Sequence, residues 1–158
     1  MPDNAYVFDT EAEQAVLAAC LLDEDAAKEI MSSVEPGDFF RGAHAIVFDA
    51  MRSIVSEGKP LDYVVLAHRL EARGVPESTV SRLDLLNLCD QRYSLVAWPE
   101  HLRIVRECSA QRRILNAALF VVAESSKTQE DFGEYLAASK AKLVEAFPPE
   151  AAFAPAGI

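Results

Sequence analysis

Hydrophobic positions along this chain recur at helical spacing, and the pattern is interrupted by capping residues, glycines and prolines. From Thr10, the segment TEAEQAVLAACLLD places Ala15, Leu17, Ala18, Leu21 and Leu22 mostly on one face at 3.6-residue spacing. Thr10 followed three positions later by Glu13 fits a capping box, and Glu11, Glu13 and Gln14 put acidic and polar groups in the first turn, where they suit the helix dipole. Asp23 is placed to cap a second helix carrying Ala26, Ala27, Ile30 and Met31 inward. That helix must stop before Pro36, because a proline disfavours helical backbone at the residue before it.

The pattern continues with a helix from Gly42 to Glu57, ended by Gly58 and Pro60, and another from Asp62, its predicted cap, to Arg73, ended by Gly74. A further short helix is expected between Pro76 and Cys89. From Pro99, a favoured first-turn residue, the periodicity runs unbroken to about Ser125, seven turns or roughly 40 Å at 1.5 Å per residue. Two apolar stripes run along it. One contains Leu102, Val105, Leu115, Leu119 and Val122; beside it lie Ile104, Ile114, Ala118 and Val121. A second amphipathic helix, Glu130 to Phe147 with Phe132, Leu136, Leu143 and Phe147, follows a short polar turn. The two should fold back as an antiparallel hairpin. Leu115, Leu119, Val122, Leu136 and Leu143 are the expected seam, which leaves Ile114, Ala118 and Val121 for self-association.

These elements predict an all-α chain: a flexible N-terminus over 1–10, a compact bundle of short helices over 11–91, a helical hairpin over 98–147, and a Pro- and Ala-rich linker or tail over 148–158. Composition agrees, with 51% hydrophobic and 25% charged residues in 158. The net charge is −10, which weighs against an autonomous nucleic-acid binder. It is unevenly placed. Residues 1–97 hold 17 acidic and 8 basic side chains, whereas 98–147 hold 7 of each. No apolar run approaches the roughly 18 residues of a membrane span, and no basic stretch leads into an apolar one at the N-terminus, so a cytoplasmic protein is expected.

Catalytic motifs are absent from these residues. Gly58-Lys59 lacks both the upstream glycine and the following Ser or Thr of a phosphate-binding loop. Cys20, Cys89 and Cys108 are scattered through apolar helical patterns, as are His44, His68 and His101 singly along the chain; neither set has metal-ligand spacing. No cofactor is expected. His44, after Asp38-Phe39-Phe40-Arg41 and before an apolar helix, suits a structural hydrogen bond that fixes the preceding turn; a catalytic or ligand role is the alternative. Arg103, Arg106 and Arg113 share roughly one face, with Arg112 adjacent. They suit a solvated face paired with Glu100 and Glu107, an acidic protein partner, or nucleic acid.

Four motifs in order over about a hundred residues carry a family resemblance. Glu11 to Asp23 resembles E-A-E-Q-x-V-L-x-x-x-L-L-D, and Asp38 to Met51 resembles D-F-[FY]-R-x-x-H-x-x-[IV]-F-x-A-M. Gly58 to Asp62 resembles the turn G-K-P-[IL]-D, and Ile104 to Glu107 resembles I-V-R-E. Together they resemble the N-terminal domain of the bacterial replicative helicase DnaB. The resemblance implies domains that pair through their hairpins, three pairs forming a collar on a hexameric helicase, and a collar that receives the C-terminal domain of a DnaG-type primase. It also implies a helicase ATPase domain as partner if the chain is part of a longer one. Arg112, Arg113 and Asn116 are then candidate partner-binding groups. Between Gly74 and Pro99 the sequence departs from the family pattern, so the primase-facing edge is expected to differ. A free-standing relative that regulates or loads a host helicase or primase is the alternative.

Overall fold

The computed structural model describes residues 7–90, 94–127, 131–149 and 152–153. Among these the chain is all helical: α1 Thr10–Leu22, α2 Glu24–Ser33, a 3-10 turn at Pro36–Asp38, α3 Gly42–Ser56, α4 Tyr63–Ala72, α5 Arg82–Cys89, α6 Ser94–Ser125 and α7 Phe132–Ala146. Two compact units divide it. One is Phe8–Glu107; the other combines Cys108–Ile158 with Met1–Val7.

In the first unit α1 is the central helix, packed against α2, α3 and α5. Nearly every residue from Ala12 to Leu21 is buried, Glu13 included and Gln14 half-buried, so α1 hides its whole circumference instead of the single face expected from its pattern. Small side chains at Ala12, Ala15, Ala18 and Ala19 allow neighbours to approach on every side. Around it pack Ile30, Phe48, Met51, Ile54 and Leu66, all inaccessible to solvent. The first turns of α6 also belong to this unit: Leu102 and Val105 are in its core, and Trp98 and Ile104 pack against it.

Backbone chemistry explains where the helices start and stop. Asp23 accepts from the Asp25 and Ala26 N–H groups at 2.9 Å each, and Asp62 accepts from Val65 N–H at 2.8 Å. After α3 and α4 the chain turns through Gly58 (φ 69°) and Gly74 (φ 70°). The N–H of the next residue in each case reaches back to the carbonyl five positions earlier, Lys59 to Ile54 and Val75 to Leu70. Left-handed backbone there favours glycine because a Cβ would crowd the adjoining carbonyl.

Two expectations are corrected at helix starts. Thr10 is the first residue of α1 and not its cap; Asp9 caps the helix, accepting from Ala12 N–H at 2.9 Å. Glu13 therefore makes no capping box and is turned into the core. The long helix begins at Ser94, with Pro99 inside it; proline cannot donate to the Leu95 carbonyl, but this near the helix start the loss is confined to one bond.

Candidate interaction surface

Glu13 and His44 are brought together inside the first unit. Glu13 Oε1 accepts from Phe40 N–H at 2.6 Å, and Oε2 lies 3.4 Å from Arg41 N and 2.7 Å from His44 Nδ1. An ionised carboxylate only accepts, so Nδ1 carries the proton and donates. Glu13 is 2% exposed, and one carboxylate thus ties α1 to the turn that leads into α3. The partner of His44 is thus a residue 31 positions earlier and not the preceding turn. Phe8 stacks on Phe40 with centroids 4.4 Å apart, fixing the entry to α1 beside the same turn.

The second unit is built on the antiparallel hairpin of α6 and α7. Asp131 caps α7 through Glu134 N–H at 3.0 Å. The register is visible in Lys142, whose Nζ stands 5.8 Å from the centroid of Phe120, and in an open groove lined by Arg113, Asn116 and Ala117 from α6 with Lys142, Glu145 and Ala146 from α7. Among the described residues, small side chains occupy the buried positions of this unit: Ser109, Ala110 and Ala117 on α6, Ser139 and Ala146 on α7, with Ala110 and Ala117, and Ser139 and Ala146, each seven apart. Seven residues are two helical turns, so a small side chain recurs on one face.

This overturns the assignment of the apolar stripes. Leu115, Leu119 and Val122 are 40%, 45% and 61% exposed, and Leu136 is 52% exposed; Leu143 is half-buried. At about 100° per residue, Leu115 stands some 200° around α6 from buried Ala117, on the outward side. Ile114 and Val121 are half-buried instead, and only Ala118 of the expected self-association set is exposed. Both stripes have helical spacing, so periodicity alone could not choose between them.

The arginines divide. Arg103 is exposed and pairs with Glu100 at 2.6 Å and Glu107 at 2.5 Å, which raises its own pKa and lowers that of Glu100. Half-buried Arg112 donates from Nη1 to the Val7 carbonyl at 2.7 Å, so it is engaged by backbone within its own unit. Arg113 and Asn116 are exposed at the groove. Cys20 is buried, and desolvation pushes its thiol up to about 12. Among the described residues no group of three or more His, Cys, Asp or Glu is placed to hold a metal ion, and no helix is long and apolar enough to cross a membrane.

The architecture is that of an all-α domain in which a helical core unit precedes a hairpin with outward-facing apolar side chains. The family model described as the DnaB-like helicase N terminal domain matches residues 6–107, and the chain belongs to that family. The crystal structure of the N-terminal domain of DnaB helicase from Mycobacterium tuberculosis superposes with a TM-score of 0.81 at 30% identity, covering 87% of this chain and 96% of that one. Replicative DNA helicase DnaB of Geobacillus stearothermophilus is 30% identical over 135 residues, 85% of this chain but 30% of the relative. The Mycobacterium leprae DnaB is 40% identical over 67 residues, 42% of this chain and 11% of the relative. This chain thus spans under a third of the length of these helicases.

Proposed function

We propose that this chain is the non-catalytic assembly and primase-docking domain of a replicative DNA helicase, acting in the primosome. The observation that carries the reading is the outward stripe of Leu115, Leu119 and Val122, opposite the face α6 turns to α7. Apolar side chains in a row on one helix lose contact with water only by meeting another surface, and a second copy offers the same row. Family membership supports the helicase context, and the resemblance supports pairing through hairpins and primase docking. The motor then belongs to the part of the relatives that this chain does not match.

Light scattering on a sizing column tests it, with the chain alone and with the C-terminal domain of the primase from the same cell. A concentration-dependent dimer or larger assembly is expected, and it should become heavier with the primase domain. Leu119→Glu combined with Val122→Glu should give a monomer of unchanged helicity. A wild-type monomer that ignores the primase domain would sink the reading.

A further inference from the structure

Inside the first unit, α1, the start of α3, the turn before α5 and α5 itself border a cavity of about 380 Å³. Its floor is aliphatic: Leu17, Val47, Val80, Leu85 and Leu88 line it and are buried. Polar groups line it too, Arg41, Asp84 and Asn87 from exposed positions and His44 half-buried. The fold does not use them up. Lys59, Arg69, Arg73 and Arg82 of the same unit each reach a carboxylate, whereas the Arg41 guanidinium has no ion pair among the described residues. Asp84 is ionised, because hydrogen bonds from the Ser81 hydroxyl and N–H hold its carboxyl below the usual carboxylate range, and Arg41 and His44 lie near enough to add to that. Cation and carboxylate thus share a cavity without closing on each other. His44 gives its Nδ1 proton to Glu13, which leaves Nε2 as an acceptor, and neither Nε2 nor the Asn87 amide has a hydrogen-bond partner among the described residues.

The two charges of the lining select its occupant. A simple carboxylate would face Asp84, and a simple amine would face Arg41. A nucleotide would bring its phosphate near Asp84 and its base to a cavity that, among the described residues, no aromatic side chain lines. A small zwitterion with an apolar body meets every one of these groups, and the volume lies at the lower end of the range for small-molecule sites, about 300–1,000 Å³. We propose that this cavity binds a free α-amino acid with an aliphatic side chain. Arg41 and the Asn87 amide take its carboxylate, Asp84 and His44 Nε2 take its ammonium, and the aliphatic floor takes its side chain. Buried Glu13 fixes the ring that presents Nε2, so a residue that holds the fold also sets the site. The site needs neither self-association nor a primase.

Isothermal titration calorimetry on the full chain tests this with four probes. L-leucine carries both charges and the apolar body, 4-methylpentanoate lacks the ammonium, 3-methylbutylamine lacks the carboxylate, and glycine lacks the body. Leucine should bind saturably, one molecule per chain, and each of the others should bind about tenfold or more weakly. Arg41→Gln, at an exposed position, should weaken leucine about tenfold or more while circular dichroism shows unchanged helicity. Asp84→Asn should do the same; because Asp84 also serves the start of α5, Arg41→Gln decides if that chain unfolds. The proposal is overturned by leucine that fails to saturate below about 10 mM, or by an acid, amine or glycine that binds as tightly as leucine. Unchanged leucine binding by Arg41→Gln overturns it equally.

Discussion

Among the described residues Glu13 is the charged side chain that is buried. Its carboxylate is out of water, and two backbone N–H groups and the His44 ring point at it. Removing an acceptor that serves partly buried donors leaves them less well paired, which costs more than the net worth of the bonds. Glu13→Ala should therefore lower stability by about 3 kcal/mol, read from urea denaturation, with Glu13→Gln in between because its amide retains one acceptor. A loss under about 0.5 kcal/mol would show that the carboxylate does not hold the turn. Exposed Glu57 behaves differently. Arg69 and Lys59 hold its pKa down to about 2. The sign follows: a group with a depressed folded pKa contributes stability above its unfolded pKa, near 4.5, and loses it as pH falls toward 2. Part of the acid sensitivity between those limits should vanish in Glu57→Gln, measured as Tm against pH. Burial of the Cys20 thiol predicts that iodoacetamide at pH 8 modifies Cys20 only after unfolding, as peptide mass mapping would reveal.

At the scale of elements, the hairpin depends on side chains being small. Ala117 is 2% exposed and Ala146 is 7% exposed, so extra volume at the first has nowhere to go. Ala117→Leu should cost about 1–3 kcal/mol through overpacking, checked by thermal denaturation, even though leucine favours helix as alanine does. Leu119→Glu at the outward stripe should leave the Tm of the monomer nearly unchanged. A reversed pair of outcomes would return the seam to Leu115 and Leu119. Ser139 sits on the same buried line of α7, its hydroxyl without a hydrogen-bond partner among the described residues.

The whole molecule combines an acidic first unit with a hairpin that is close to neutral. Burying about 600 Å² of apolar surface between two hairpins would contribute on the order of 15 kcal/mol gross. Lost translational freedom and side-chain ordering remove much of that. Self-association should therefore be reversible on dilution, seen as a concentration-dependent mass in sedimentation. Like net charge on two copies should make it stronger at higher salt.

Much of the architecture was legible from one sequence because local chemistry specifies it. Caps at Asp23 and Asp62, and the helix stops at Gly58 and Gly74, act within one turn of the backbone they serve. Hydrophobic spacing marked the helices, and the order of four motifs pointed to the family. Contacts between distant residues were not legible in the same way. Glu13 looked like half of a capping box because Thr10 lies three residues before it; only folding brings Phe40 and His44 close enough to claim it, and Asp9 takes over the cap. Periodicity showed two stripes on the long helix, but both obey the same spacing, so only the approach of α7 beside Ala117 decides which faces inward. Local chemistry in the chain marked which segments are helical and where α3 and α4 stop, but it misplaced the starts of α1 and the long helix. The tertiary structure decided which apolar face is covered and which polar group is buried, because those depend on partners far away along the chain.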